Sequence, residues 1–319
     1  MPDSLSDQKV LMSGNEAVAR GVWEAGARVG CAYPGTPSTE ILENLATYDD
    51  IHSHWSVNEK TSLEVAIGAS IAGSRAFCAM KHVGVNVAAD ALMSLTLAGV
   101  GGGLVIAVAD DVGFSSSQNE QDTRYWGRFA HLPIFEPSDS QEAHDIIKDA
   151  FDVSEQFITP VIVRMTTRIC HVKGLVQLGE RVEHDGAAFE RDPAHWVMVP
   201  AHAKERQKFQ FARDDQLSEF SEQTSWNRVI EGDDRRFGFV ASGPAFMHVR
   251  EVFGDAPVLK LGFSHPLPME KIRAFAASVE KLVVIEETEP LVENALKAAG
   301  IDCHGEDILP RCGELQPDV

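Results

Sequence analysis

The sequence predicts an α/β fold, in which a mostly parallel sheet flanked by helices is followed by a second, smaller α/β domain. Three observations carry this prediction. In the first half of the chain, short apolar runs alternate with helical patterns. This alternation weakens from about residue 174 to residue 234 and then returns. The length of 319 residues also fits two domains of about 150 residues each.

The first half contains six apolar runs that we interpret as strands, with one helical pattern before the first run and four more between later runs. The first helical pattern places Val18 and Val22 on one face and starts at a capping residue, Ser13 or Asn15. The predicted strands cover residues 28–33, 54–57, 75–80, 104–109, 133–135 and 161–165, and the predicted helices cover residues 15–25, 38–46, 59–72, 86–97 and 141–156. Strands joined through helices run parallel with right-handed crossovers, so ligands are expected where their carboxyl ends meet.

The last third of the chain predicts three further strands and three helices. The strands cover residues 237–241, 258–261 and 282–285, and the helices cover residues 245–253, 269–277 and 290–299. The segment before them is charged and contains few apolar runs, so we interpret it as a linker with a surface helix. The predicted division is a first domain over residues 1–175, a linker over 176–234 and a second domain over 235–319.

Charge and cysteine content exclude several classes of protein. The 48 acidic and 28 basic residues leave a formal charge of −20, which would repel nucleic acid and anionic lipid. Five cysteines without a C-x-x-C pair indicate a reducing cytoplasm. The N-terminus shows no secretory signal. Residues 91–109 carry no charge, but glycines interrupt them, so we predict a helix, a turn and a strand there and no membrane span.

The ends of the predicted strands carry the candidate site. Glycine at Gly35, Gly84 and Gly113 leaves room for another group close to the backbone. Glu59 opens a helix whose next turns are rich in small residues, so we expect this helix to pack closely and to shield Glu59 from water. A shielded carboxyl group can donate as well as accept a proton. From spacing alone, an acid that simply complements the helix dipole is the more common interpretation.

Other candidates carry weaker signals. No P-loop, G-x-S-x-G or H-E-x-x-H motif occurs. His52 and His54 share a strand face but have no third ligand in the sequence, so no metal site is predicted. Lys81 and His82 could meet an anionic substrate or could be ordinary surface. The Asp110-Asp111 pair could bind magnesium, but a solvated loop is the favoured interpretation.

Four spaced motifs resemble a known family. Residues 33–40 (YPGTPSTE), 57–60 (VNEK), 81–90 (KHVGVNVAAD) and 116–122 (SSQNEQD) are similar to the alpha subunit of indolepyruvate ferredoxin oxidoreductase, a thiamine-diphosphate-dependent 2-oxoacid:ferredoxin oxidoreductase. Residues 241–243, 259–263, 266–268 and 284–287 resemble its transketolase-C-like domain. The resemblance implies a thiamine-diphosphate pyrimidine-binding domain followed by that smaller domain.

The resemblance also implies roles for individual residues. A glutamate at the position of Glu59 hydrogen-bonds the aminopyrimidine of the cofactor and promotes the tautomer that deprotonates the thiazolium carbon. Thr36 lies where relatives contact the substrate carboxylate. Further implied contacts are a loop beside the aminopyrimidine (Gly84, Val85, Asn86) and a border of the substrate pocket (Glu120, Gln121, continuing to Asp122).

The implied reaction is oxidative decarboxylation of an aryl-2-oxoacid such as indolepyruvate, with transfer of the acyl group to coenzyme A and of electrons to ferredoxin through iron–sulfur clusters on partner chains. The G-D-G motif that holds Mg²⁺ and the diphosphate is not found in these 319 residues. We therefore expect half an active site, from a natural split subunit or a truncated chain.

Its expected partners are a chain with the pyrophosphate-binding domain, a gamma-type or beta subunit and ferredoxin, in a hetero-oligomer with a dimeric core. Another 2-oxoacid, such as pyruvate or a branched-chain acid, and a non-catalytic assembly subunit remain alternatives.

Overall fold

The computed structural model describes residues 9–184, 186 and 188–318. The first eight residues, on which the expectation of no secretory signal partly rests, lie outside the described residues. Within the described ranges, no helix has the length and apolarity needed to cross a membrane. The uncharged run over residues 91–109 forms the end of one helix, a turn and most of one strand, as predicted.

The described residues form strands and helices in alternation. The strands are β1 (Lys9–Ser13), β2 (Val29–Ala32), β3 (His52–Trp55), β4 (Ala76–Lys81), β5 (Leu104–Asp110), β6 (Ile134–Phe135), β7 (Val161–Thr166), β8 (Lys173–Gln177), β9 (Asn227–Ile230), β10 (Gly238–Ser242), β11 (Val258–Leu261), β12 (Phe263–His265) and β13 (Leu282–Ile285). The helices are α1 (Gly14–Glu24), α2 (Thr39–Leu45), α3 (Glu59–Ile71), α4 (His82–Ala98), α5 (Arg124–Ala130), α6 (Ser140–Phe157), α7 (Thr167–His171), α8 (Pro193–Trp196), α9 (Pro200–Gln223), α10 (Gly243–Val252), α11 (Met269–Ala276) and α12 (Leu291–Ala298).

A seven-stranded sheet with the order β12-β6-β7-β5-β4-β2-β3 forms the centre of the larger unit. All its pairs are parallel except β12 with β6. All seven residues of β5 are buried, as expected for a central strand covered on both faces. A four-stranded sheet with the order β13-β10-β11-β9 forms the centre of the smaller unit. The predicted α/β class with mostly parallel sheets is therefore confirmed.

Two element boundaries differ from the prediction in ways that affect the site. Helix α4 begins at His82, four residues before the predicted start. Its N-cap, Lys81, makes no side-chain capping bond, so the sequence contained no start signal there. Strand β3 begins two residues earlier than predicted. Strand β12 was not predicted; it comes from the C-terminal part of the chain and joins the larger sheet.

The segment predicted as a linker with a surface helix contributes to the larger unit. Helix α9 packs on α4, and its Arg213 is 1% exposed. Arg213 donates hydrogen bonds to the carbonyl oxygens of Thr96 (3.0 Å) and Ile158 (3.3 Å), and Arg206 donates to Leu97 (2.9 Å). Helix α9 lies on the surface, with only Gln210, Arg213, Leu217 and Ser221 buried. Its attachment to α4 was not predicted, because arginine bonds to backbone carbonyl groups have no apolar signature in the sequence.

Helices α1 and α6 meet around a buried ion pair. Glu24 accepts hydrogen bonds from Arg20 (2.7 Å) and the Gly179 amide (2.7 Å), and His144 Nε2 lies 2.9 Å from its carboxylate. Burial by itself raises the pKa of Glu24, but the bonds from His144 and Arg20 outweigh burial and lower the pKa to about 2. Burial lowers the pKa of His144, but bonds to Asp145 and Glu24 outweigh it and raise that pKa.

We predict that Glu24→Gln lowers the free energy of unfolding by about 3 kcal/mol near pH 6. Because the folded-state pKa of Glu24 is depressed, its contribution is present above the unfolded value of 4.5 and is lost as the pH falls toward about 2. The difference between variant and wild type, measured by urea unfolding, should therefore shrink below pH 4.5. Glu205→Gln, in an exposed pair with Lys208, is the control and should change little. A difference that stays constant with pH would contradict the assignment.

Candidate functional site

The candidate site lies where β2, β3, β4 and β5 end, at one edge of the larger sheet. Because these strands are parallel, the segments that follow them meet there. They bring together residues that are far apart in sequence. Ser116 Oγ donates a hydrogen bond to the Thr36 carbonyl (3.4 Å), and Lys81 Nζ donates to the Ser116 carbonyl (3.4 Å). The structure thus brings Thr36 and Lys81 to one place.

Glu59 is the first residue of α3. The helix begins there because the Asn58 side chain caps it, accepting a hydrogen bond from the Thr61 amide (2.9 Å). The Glu59 side chain is partly buried. Within the described part of the chain, its carboxylate has no hydrogen-bond or ion-pair partner. Because anions are favoured at a helix N-terminus, this position suits a carboxylate.

The carboxyl group of Glu59 lies directly against Gly84. A Cβ atom at residue 84 would lie 2.6 Å from Glu59 Cγ and 2.7 Å from Oε1, so no larger residue fits without moving the glutamate. This confirms the predicted close approach at Gly84. Among the small residues of α3, Ala66 and Ser70 are buried, whereas Gly68 has no atom within 4 Å of its Cβ position. The first turn of α4 also covers Glu59.

Gly84, Val85 and Asn86 belong to helix α4, so the expectation that they form a loop is wrong. Val85 is 1% exposed and packs in the core, which leaves its backbone but not its side chain near the site. Asn86 is exposed, and its side-chain amide donates a hydrogen bond to Gln121 Oε1 (2.9 Å). Gln121 in turn donates to the side chain of Asn119 (2.9 Å). The structure therefore connects Asn86 and Gln121 as parts of one polar cluster.

His82 is buried and holds backbone groups. Its Nδ1 accepts a hydrogen bond from the Asp111 amide (3.4 Å), and its Nε2 lies 3.2 Å from the Asn119 carbonyl. This pairing fits the tautomer with the proton on Nε2. Both ring nitrogens therefore contact the segment over residues 111–119. The expected contact of His82 with the substrate stays a prediction.

Asp110 and Asp111 are each 1% exposed, so the favoured interpretation of a solvated loop is wrong. The Asp111 carboxylate accepts hydrogen bonds from the Ser116 amide (2.8 Å), the Ser117 hydroxyl (2.5 Å) and the Thr167 hydroxyl (3.0 Å). Burial raises the pKa of Asp111, but these bonds outweigh it and lower the pKa to about 2. Asp111 thus organises the serine-rich segment that contacts Thr36.

Glu120 faces a cavity of about 330 Å³ that is otherwise lined by residues between positions 284 and 315. Its carboxylate accepts a hydrogen bond from the Gly113 amide (2.9 Å). The cavity is also lined by five other glutamates (Glu286, Glu287, Glu289, Glu293, Glu306), and neither Glu59 nor Thr36 lines it. Glu120 therefore faces this cavity, whereas the next residue, Gln121, bonds Asn86. The expected contact of Glu120 with the substrate stays a prediction.

Metal ligands are not assembled in the part of the chain that the structure describes. Across residues 9–184, 186 and 188–318, no three histidine, cysteine, aspartate or glutamate side chains are placed to hold a metal ion. His52 and His54 are exposed, with parallel rings whose centres lie 6.3 Å apart. The sequence analysis missed two buried arginines near the site, Arg124 and Arg164. Arg164 could have been found as a charge inside the apolar run of β7.

Comparison with known proteins identifies a class of thiamine-diphosphate-binding oxidoreductases. The family model for the pyruvate flavodoxin/ferredoxin oxidoreductase, thiamine-diphosphate-binding domain matches residues 20–226. The chain belongs to this family.

Several curated relatives match nearly the whole chain. The indolepyruvate oxidoreductase subunit IorA of Archaeoglobus fulgidus is 43% identical over 307 residues, which cover 92% of this chain and 49% of the relative. The subunit of that name from Methanothermobacter thermautotrophicus is 40% identical over 328 residues, which cover 98% of this chain and 53% of the relative. The chain thus spans about half the length of these relatives.

A solved structure has the same fold. The 2-oxoglutarate:ferredoxin oxidoreductase from Magnetococcus marinus superimposes with a TM-score of 0.80 at 17% identity, covering 98% of this chain and 64% of that chain. At this identity the likeness concerns the fold alone.

We predict that Gly84→Ala displaces the Glu59 side chain while the protein stays folded, because the colliding atoms belong to the flexible end of a glutamate. The control is Gly68→Ala in α3, where open space should let alanine stabilise the helix by about 1 kcal/mol. Crystal structures and thermal unfolding of both variants test this. An unmoved Glu59 in Gly84→Ala, with the same gain in stability as the control, would contradict the close approach.

Proposed function

We propose that this chain supplies the aminopyrimidine half of a thiamine-diphosphate site in an oxidoreductase that converts aryl-2-oxoacids of the indolepyruvate type to acyl-CoA, with ferredoxin as electron acceptor. The observation that carries the proposal is the partly buried Glu59 carboxylate at the start of α3, which has no hydrogen-bond or ion-pair partner among the described residues and lies against Gly84. The similarity to IorA subunits over nearly the whole chain supports the choice of substrate class.

The residues present fit this cofactor. An unpartnered carboxylate is suited to a ring nitrogen that carries or accepts a proton, and the missing side chain at Gly84 leaves space beside it. Thiamine diphosphate, when bound, supplies a carbon nucleophile and an electron sink. In the proposal, Glu59 holds and returns the proton of the aminopyrimidine. Asn86 and Gln121 supply neutral hydrogen-bond groups nearby.

The substrate carboxylate is assigned to the place where Thr36 and Lys81 meet. The Lys81 ammonium is partly exposed, and its contact with the Ser116 carbonyl at 3.4 Å is weak enough to be replaced by a stronger, charged acceptor. The Thr36 side chain is exposed beside it. These two residues therefore supply a positive charge and a hydroxyl group for an anionic substrate.

Other parts of the proposed enzyme lie outside these 319 residues. We propose that Mg²⁺ and the diphosphate are held by a pyrophosphate-binding domain, and that a gamma-type or beta subunit and iron–sulfur clusters complete a hetero-oligomer with a dimeric core. Coenzyme A is the proposed co-substrate. The larger sheet is proposed to belong to the pyrimidine-binding domain and the four-stranded sheet to the transketolase-C-like domain. A reducing cytoplasm fits the five free cysteines.

A second candidate is the same chemistry on 2-oxoglutarate. The 2-oxoglutarate synthase subunit KorA of Methanothermobacter thermautotrophicus is 29% identical over 188 residues, which cover 55% of this chain. The IorA subunits match more of the chain at higher identity, so the aryl-2-oxoacid is favoured.

We predict that the chain gains activity when mixed with a partner that carries the pyrophosphate-binding site, together with thiamine diphosphate, Mg²⁺ and coenzyme A. Reduction of a viologen dye should be faster with indolepyruvate than with pyruvate or 2-oxoglutarate. No reduction with any aryl-2-oxoacid would contradict the proposal and would favour an assembly role. A preference for 2-oxoglutarate would support the second candidate.

We predict that Glu59→Gln lowers the turnover of this reconstituted enzyme by at least about 100-fold, because proton transfer by a placed side chain contributes that order of rate. Glu64→Gln is the matched control, since Glu64 lies one turn later on α3, is exposed and only approaches Lys60 (3.9 Å). It should keep wild-type turnover. Equal activity in the two variants would remove Glu59 from the mechanism.

A further inference from the structure

A buried arginine, Arg124, connects the end of the segment over residues 112–122 to the segment that follows β13 in the four-stranded sheet. Arg124 is 2% exposed and donates three hydrogen bonds into the segment that follows β13. They reach the Glu286 carboxylate (2.7 Å) and the carbonyl oxygens of Glu287 (2.9 Å) and Glu289 (2.8 Å). The same guanidinium donates to both carboxylate oxygens of Asp122. Arg124 therefore holds two separate segments of the chain together.

A second buried arginine supports this arrangement from the larger sheet. Arg164 on β7 donates hydrogen bonds to Asp110 (2.6 Å) and to Glu136 (2.7 Å) and lies 3.7 Å from Asp122. Burial by itself raises the pKa of Asp122, but the nearby charges of Arg124 and Arg164 outweigh it and lower that pKa. Asp122 is thus held as an anion between the two guanidinium groups.

The position of Asp122 in the sequence makes this network relevant to the site. Asp122 directly follows Gln121, whose side chain bonds Asn86 on α4. A displacement of Asp122 would therefore move the acceptor that orients Asn86. The other end of the segment is also held by the C-terminal part of the chain, because a Cβ at Gly113 would lie 3.3 Å from the Gly313 Cα.

The energetics favour a fixed segment. A buried charge is costly unless it is paired, so removal of Arg124 leaves Asp122 and Glu286 without their main counter-charge. Segments between strands and helices are otherwise among the most mobile parts of a fold. Since Arg124 bonds both the segment and its support, it restrains the segment more than a single ion pair on one element would.

We propose that Arg124 is a positioning residue, which fixes Gln121 and through it Asn86, and that residues 286–289 of the smaller unit are its support. The inference about position stands on the hydrogen bonds above. Only its consequence for substrate turnover rests on the proposed function.

Hydrogen exchange of the backbone amides in residues 112–121 tests the positioning directly in the full chain, without a cofactor. Arg124→Gln should speed their exchange by about tenfold, since a charge-assisted hydrogen bond contributes roughly that factor. The matched control is Arg75→Gln. Arg75 is a buried arginine bonded to Glu155 and Asp152, and it lies before β4, at the opposite edge of the same sheet. It should leave exchange in residues 112–121 unchanged.

Glu286→Gln provides a second test if Arg124→Gln does not fold. This change removes the charge of the carboxylate that accepts a hydrogen bond from Arg124 in the smaller unit, and it should also speed exchange in residues 112–121. Arg124→Lys should restore part of the protection, because it keeps the charge and loses the fork of donors. In the reconstituted enzyme, Glu286→Gln should raise KM for the 2-oxoacid more than it lowers kcat.

The positioning inference is overturned if exchange in residues 112–121 changes no more in Arg124→Gln and Glu286→Gln than in Arg75→Gln. Failure of the proposed function would look different: the exchange effects would persist, and no variant, wild type included, would oxidise a 2-oxoacid.

Discussion

The carboxyl group of Glu59 lies so close to the backbone of Gly84 that a Cβ atom at residue 84 does not fit between them. Helix α3 begins at this glutamate, and α4 passes it at its third residue, so the two helix starts meet beyond the carboxyl ends of β3 and β4, the strands on either side of β2. A side chain at residue 84 would push the carboxylate away. The position of the acid, and with it the proposed proton transfer, therefore depends on the absence of one Cβ atom.

The rest of the structure holds the segments around this contact. Asp111 gathers three consecutive serines, and His82 bonds the same segment at two backbone positions. Arg124 and Arg164 place buried positive charge next to this segment, in a chain whose formal charge is −20. In a site for an anionic substrate, such pairing also neutralises carboxylates that would otherwise repel the substrate.

Local signals in the sequence were enough to predict much of the fold. The helix predicted over residues 59–72 starts where α3 starts, and the apolar runs of β5, β11 and β13 match the observed strands closely. What could not be predicted depends on distant partners. Asp110 looks like part of a solvated loop because its counter-charge, Arg164, lies 54 residues away. The attachment of α9 to α4 was not predicted because the buried Arg213 and the partly buried Arg206 bond backbone carbonyl groups, which leave no pattern in the sequence.

Only part of the site could be predicted, because the contacts that define it also join residues that are distant in sequence. The sequence singles out Glu59, and the structure adds Gly84 as the group that defines its position. The central claim is that Glu59 exchanges a proton with the cofactor. Hydrogen–deuterium exchange at the reactive thiazolium carbon of thiamine diphosphate, measured by NMR in the complex with the diphosphate-binding partner, tests it most directly. We expect fast exchange with the wild-type chain and, with Glu59→Gln, a fall to the rate of the free cofactor while the cofactor stays bound. Equally fast exchange in both complexes would contradict it.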